Sequence, residues 1–225
     1  MIKLKPILTD EKNILDPGSF GIEAKYDAHV WLKGAIKNRK NLFKKDQQEI
    51  LHQPFYASDV RREFIGKFGF AIPGIKAIKA IKNYSPHGVT EIGAGLGYWT
   101  YLLKQYGVDA VAVDLQNPLE NSFFKNSQKS PHIWSNPVVA NAADYLKTDD
   151  SKRSLLMIWP LNYVTKALAS YSGNTIFMIG EWATGATDTG NLFDENQSEW
   201  EIIDQIEIPK FYDIYDLLTV HQRII

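Results

Sequence analysis

The chain has 225 residues, 44% hydrophobic and 23% charged, close to the globular average, which excludes a disordered, fibrous or disulfide-stapled polypeptide. Twenty-five basic residues against 26 acidic ones give a formal net charge of −1, so no global field favours a phosphate backbone, and nonspecific nucleic-acid binding would need a local basic patch. The longest apolar run, Leu155 to Leu161, is far short of the roughly 20 residues that cross a bilayer. There is no cysteine and the start of the sequence has no apolar stretch of secretory length, so the expected setting is reducing and cytoplasmic, without a membrane.

In chain order, the first segment mixes charged and apolar residues at helical spacing. Ala28, Trp31, Leu32, Ala35 and Ile36, then Val60, Phe64, Ile65 and Phe68, recur at three- and four-residue intervals and predict two or three helices within residues 1–85. Turn signals stand at Asp16-Pro17-Gly18 and Gln53-Pro54. Pro73 can open a helix over Gly74 to Asn83, because its missing N–H would have no partner in a first turn anyway, and Ser85-Pro86-His87-Gly88 closes that helix.

From residue 86 to 225 the pattern becomes short β-rich runs separated by helical stretches, which predicts βαβ units around a parallel sheet, an α/β fold. Strands are expected at Val89 to Ile92, Val108 to Val113, Val138 to Ala140, Leu155 to Ile158 and Thr175 to Ile179, all apolar enough to be buried on both faces. Glu199 to Ile208 and Leu217 to Arg223, joined by residues 209–213, read as a final antiparallel pair.

The strongest local signal follows the first of these strands: Glu91-Ile92-Gly93-Ala94-Gly95-Leu96-Gly97-Tyr98, a glycine turn leading into an amphipathic helix. Glycines permit positive φ and carry no Cβ, so the backbone can approach a ligand closely while the helix N-terminus offers N–H groups to a carboxylate or phosphate. A dinucleotide fingerprint spaces its glycines G-x-G-x-x-G, whereas here the third glycine comes one residue early, at Gly97, which disfavours NAD. Asp114 ends the second strand, where an acid is placed to accept hydrogen bonds from ribose hydroxyls. A nucleoside-bearing ligand is expected.

These residues resemble the class I S-adenosylmethionine-dependent methyltransferases, whose first motif is an acid, any residue, then alternating glycines; Asp114 fits the ribose-binding acid of that family. The resemblance covers roughly residues 85–225. It implies a Rossmann-like sheet of seven strands in the order 3-2-1-4-5-7-6 with the last pair antiparallel. The apolar segment Phe68 to Pro73, with the helical N-terminal extension of residues 1–85, is expected to form a lid or acceptor-binding element over the cofactor end of the sheet. The resemblance also implies S-adenosyl-L-methionine as cofactor, with the methionine part against Gly93, Ala94, Gly95 and Gly97 and with Glu91 and Asp114 in supporting places. Aligning Val139 to Leu146 on the family's Gly-Asp-Ala-x-x-Leu sets Asn141 on the glycine and Ala142 on the acid. Either backbone groups of Ala142 and Ala143 read the adenine, or Asp144 reaches it from a shifted register.

Methyl transfer from a sulfonium is a displacement in which alignment alone is worth roughly 7–11 kcal/mol, so a dedicated catalytic side chain is optional. A weakly activated hydroxyl acceptor would need a base, an amine or thiolate less help. Tyr98, Trp159 and Trp182 are candidate aromatic faces for the sulfonium. Trp159 and Glu181, at the ends of strands four and five, are the candidate catalytic residues, and Phe70, Trp159 and Trp182 the candidate acceptor-binding ones. Trp99 shares a helix face with Leu102 and Leu103 and reads as core. The five histidines have no metal-ligand spacing, so no metal is expected.

A small-molecule acceptor is the leading expectation. The run Lys33, Lys37, Arg39, Lys40, Lys44 and Lys45 keeps open an RNA or protein acceptor. A cofactor-free, catalytically silent binding domain of the same fold is the third reading.

Overall fold

The computed structural model describes residues 28, 30–32, 34–35, 54–122, 124, 131–149, 152–160, 163–181, 199–211 and 214–224. The six basic residues Lys33, Lys37, Arg39, Lys40, Lys44 and Lys45, and Trp182, lie outside the described residues. Residues 28, 30–32 and 34–35 are helical. Helix α1 spans Pro54–Phe68, with proline at its first position, where the absent N–H costs nothing. Helix α2 spans Ile75–Tyr84 and buries Ala77, Ile78 and Ile81, a spacing that puts them on one face.

Seven strands follow: β1 Val89–Ile92, β2 Ala110–Asp114, β3 Val138–Val139, β4 Ser154–Ile158, β5 Thr175–Glu181, β6 Trp200–Glu207 and β7 Asp216–Arg223. Interleaved are α3 Tyr98–Gln105, α4 Ala142–Thr148 and α5 Val164–Ser170. The sheet order is β3-β2-β1-β4-β5-β7-β6. The first five strands pair in parallel, and β7 runs antiparallel to both β5 and β6, with a register shift near Ile202 and Asp204. This is the expected order and the expected terminal antiparallel pair.

β1 has the expected ends, and the other strands differ from expectation by one or two residues at an end. Residue 109 lies outside β2 but its carbonyl accepts the Val89 N–H (2.8 Å), tying the start of β1. β5 runs on to Glu181 because β7 continues the ladder to Asp216 opposite it.

Successive strand residues point to opposite faces, and each face has its own apolar layer. Leu156, Phe177, Ile179 and Leu218 pack with Ile78, Ile81, Leu102, Leu103, Phe64 and Phe68, while Leu155, Met157, Ile176 and Met178 pack with Leu146, Val164, Ala167 and Leu168. Coverage on both faces is why these strands read as unbroken apolar runs. Ala28, Leu32, Val60 and Phe64 belong to the same buried cluster as Phe177 and Leu218, so the core crosses residue 85 without a gap. Among the described residues no helix is long and apolar enough to cross a membrane.

Candidate functional site

β1 lies between β2 and β4, and the order reverses there, which opens a crevice beyond the C-terminal strand ends. The chain leaving β1 turns through Gly93, Gly95 and Gly97 at φ of 67°, 54° and 70°, a left-handed region costly to any residue with a Cβ. Ala94 N–H donates to the Val113 carbonyl (3.1 Å), and Gly95 N–H donates to Asp114 Oδ2 (2.8 Å). Asp114 Oδ1 accepts from Gln116 N–H (3.1 Å). The acid of β2 and the glycine turn after β1 are therefore one hydrogen-bonded unit.

Glu91 closes the unit from below. It is 3% exposed, and its Oε2 accepts from both Thr100 N–H (2.9 Å) and Thr100 Oγ1–H (2.5 Å), capping the first turn of α3. That service matters because the N-cap residue, Gly97, has no side chain. Burial pushes the Glu91 carboxyl up to about 7, opposed by the Thr100 hydrogen bonds and assisted by the charge of Asp114.

The strand order with its antiparallel seventh strand, and a glycine turn after β1 bonded to the acid ending β2, decide the architecture. The chain has the class I methyltransferase fold. No family model matches it, and no curated protein matches it. Solved structures similar to it include a magnesium protoporphyrin IX methyltransferase from Synechocystis PCC 6803 with bound SAM (8% identity, covering 90% of this chain and 100% of that one, TM-score 0.48). An rRNA methylase from Streptococcus thermophilus is similar at 9% identity over 67% of this chain and 96% of its own, TM-score 0.43. A precorrin 8w decarboxylase from Methanobacterium thermoautotrophicum is similar at 12% identity over 68% and 92%, TM-score 0.43. These are likenesses of shape; what the crevice can do rests on its own residues.

In this class I fold the crevice holds a cavity of about 530 Å³, within the range of small-molecule sites. Gly93, Ala94, Gly95 and Asp114 line it, with Glu91 and Tyr98 beneath them. Ala142 and Ala143 line it from the start of α4, and Phe70 and Trp159 from the far side. These ten expected site residues are thus brought to one cavity.

Other expected site residues are placed differently. Gly97 does not line the cavity: a Cβ there would collide with the carbonyl oxygen of Ser135, so its glycine serves the packing of the loop before β3 rather than the approach of a ligand. Glu181, expected to face the acceptor, is buried at 6% exposure, is not among the cavity-lining residues, and accepts the Tyr215 N–H at Oε1 (3.1 Å). β5 continues through Glu181, paired with Asp216 of β7, on the face that carries Phe177 and Ile179. Of the two routes to the adenine, Asp144 is solvent-exposed, 3.6 Å from Lys147 Nζ, and away from the cavity, whereas Ala142 and Ala143 line it. Asn141 also lines it and caps α4, with Oδ1 accepting from Ala143 N–H (3.0 Å).

Tyr98 has a double role. It is 1% exposed, its ring lies 5.0 Å from Phe68 and 4.8 Å from Trp134, and its hydroxyl accepts the Ala28 N–H (3.1 Å), tying the N-terminal helical residues to α3. Trp99 is buried as expected, donating from Nε1 to the Ala71 carbonyl (3.2 Å).

Tyr163, Phe124, Leu115 and Lys166 also line the cavity, and sequence reasoning missed them. A Cβ at Gly93 would meet the Tyr163 hydroxyl, and one at Gly95 would come within 2.9 Å of Phe124 Cζ, so two rings pack directly on the glycine turn. Burial, with the charges of Asp114 and Glu91, raises the Tyr163 hydroxyl far above its usual range and keeps it a neutral phenol. Tyr163 was findable, since it follows β4 at the ligand-binding edge. Phe124 carries no local signal. Among the described residues no group of three or more histidine, aspartate or glutamate side chains is arranged to hold a metal ion.

Proposed function

We propose that the chain is an S-adenosylmethionine-dependent methyltransferase acting on a small, partly flat acceptor. The observation that carries this reading is the bond between Asp114 and Gly95 at the lip of a cavity of about 530 Å³, which makes the acid and the glycine turn one cradle. A ribose and an amino-acid chain on one ligand match that cradle: Asp114 takes the hydroxyls, the backbone at residues 93–95 the methionine part, and Leu115 and Ala142 flank the adenine. The missing Cβ atoms at Gly93 and Gly95 make room for the rings of Tyr163 and Phe124, which line the same cavity. When bound, the cofactor supplies an electrophilic methyl group on a sulfonium.

The chain's own part is holding, orienting and excluding water. Phe70, Trp159 and Tyr163 supply aromatic surface for a flat acceptor and for a positive sulfonium, worth roughly 0.5–2 kcal/mol at each well-placed face. The acids lining the cavity among the described residues are Glu91 and Asp114, and both are engaged by N–H donors. An acceptor that is already nucleophilic, an amine or a thiolate, suits such a wall better than a hydroxyl waiting for a base.

Calorimetry and thermal unfolding with S-adenosylmethionine, its demethylated product and NAD test this. At about 100 times its dissociation constant the cofactor should stabilise the fold by roughly 2.7 kcal/mol, a rise of about 5–10 °C for a chain of this size. NAD should give no comparable rise. No heat and no shift at millimolar cofactor would leave a fold that does not bind it.

A further inference from the structure

Trp159 is held from four directions. It follows β4 at φ 48°, a left-handed conformation that a bulky residue keeps only where its surroundings enforce it. Its backbone N–H donates to the Ile179 carbonyl of β5 (2.8 Å), and its indole Nε1–H donates to Asp216 Oδ1 at the start of β7 (2.7 Å). The Arg61 guanidinium of α1 lies over its ring, 4.9 Å from the centroid, and Phe70 stacks on it at 5.9 Å and 23°.

Asp216 is the costly member of this group. It is 2% exposed and stands directly across the β5–β7 ladder from Glu181, an opposition of two acids that destabilises a sheet unless one is neutral or a cation intervenes. Among the described residues its Oδ2 has no hydrogen-bond partner, and neither has the Nε of Arg61. Orphaned buried polar atoms are expensive, and their persistence calls for a role. Among the described residues the charged groups facing Asp216 are Arg61 from α1, Glu181 from β5 and Lys210 from the β6–β7 connection. Burial prevails over the two cations and the indole hydrogen bond, so the Asp216 carboxyl is pushed up to about 7, and the same burial lowers Arg61.

We propose that Asp216 is a positioning residue whose carboxyl, through the indole N–H of Trp159 and with Arg61 over the ring, sets the wall that Trp159 presents to the cavity. The proposal rests on the proposed function for what the cavity holds. An ionised Asp216 accepts the indole donor strongly and attracts Arg61, whereas a protonated one keeps a weaker bond and releases Arg61. The wall is firmer above neutral pH than below it.

Nitrogen-15 labelling of the six tryptophan indoles, with Trp159→Phe to assign the Trp159 signal, reads the first half of this. In the wild-type protein the Trp159 indole signal should move between pH 8 and pH 6 with a midpoint near 7. In Asp216→Asn the signal should remain hydrogen-bonded but stop responding to pH, and in Asp216→Leu it should move permanently toward the free-indole position. The second readout is calorimetric affinity for the demethylated cofactor: about three- to tenfold weaker in Asp216→Leu and restored to within about twofold by Asp216→Asn. The wild-type affinity should weaken below neutral pH with the midpoint of the indole titration, and the Asn variant's should not. A folded Asp216→Leu protein with unchanged indole signal or unchanged affinity overturns the proposal; if that variant does not fold, an Asp216→Asn profile that follows wild type overturns it equally. A wild-type protein that binds no cofactor product overturns the proposed function instead, and the indole titration then decides alone whether Asp216 sets Trp159.

Discussion

Asp114 and Gly93 show how single residues serve the cradle. Asp114 spends Oδ2 on Gly95 N–H and Oδ1 on Gln116 N–H, and each oxygen retains lone-pair capacity for a ligand hydroxyl. Asp114→Asn keeps the shape and loses the charge, so cofactor affinity should fall by about 1.5–3 kcal/mol with the fold intact, measured by calorimetry. Unchanged affinity would make Asp114 a loop tie alone. At Gly93 two costs coincide, the left-handed φ of 67° and the Tyr163 hydroxyl beside the missing Cβ. Gly93→Ala should therefore destabilise by about 1–3 kcal/mol, and adding Tyr163→Phe should recover the steric part while the backbone part persists. A double mutant no more stable than Gly93→Ala would show that the hydroxyl yields freely.

At the scale of one element, α3 begins at a glycine and receives its cap from another element, the Glu91 carboxylate on β1. Glu91→Ala should cost about 1–3 kcal/mol by leaving the Thr100 groups unpaired, and Glu91→Gln less. The carboxyl also sets a pH dependence of definite sign. Its folded pKa of about 7 lies above the usual carboxylate value, so between the two the folded state holds a proton that the unfolded state has released. Stability from this group is greatest at acid pH and is lost as pH rises toward and through 7, at about 1.4 kcal/mol per unit below that point. Urea unfolding at pH 5.5 to 8.5 should show wild type gaining on Glu91→Gln as pH falls; a pH-independent difference would contradict the buried protonated form.

Over the whole molecule, the N-terminal helical residues and the sheet share one core, with Phe64 and Phe177 both fully buried in it. Unfolding should accordingly be one transition, coincident by tryptophan fluorescence and far-ultraviolet circular dichroism. Phe64→Ala should destabilise the whole fold by about 3–5 kcal/mol and lower the single midpoint, and a separate early transition would mark the helical region as independent. The acid limb belongs to β7. Burial lowers His221 to about 3, below its unfolded value near 6.5, so the stability of its neutral form is present above 6.5 and lost as pH falls from there toward 3. His221→Leu should flatten that limb in urea unfolding followed from pH 7 to 4, leaving the acid-side gain from Glu91 unopposed.

Local signals along the chain suffice for the sheet and the cradle. Apolar runs of strand length, a glycine turn and an acid one strand later are local or period-two signals, and they placed every strand within two residues and brought Gly93, Ala94, Gly95 and Asp114 to one cavity. The remaining features depend on contacts between segments distant in the chain. Gly97 answers to Ser135, Tyr98 to Ala28, and Phe124 packs on Gly95 with nothing in its neighbourhood to announce it. Glu181 sits at the ligand-binding edge by strand counting, yet the antiparallel arrival of β7 extends β5 through it, pairs it with Asp216 and leaves it 6% exposed, because how far a strand continues depends on the partner it meets. The same arrival brings Asp216 to Trp159, a meeting across 57 positions of sequence that no spacing rule encodes.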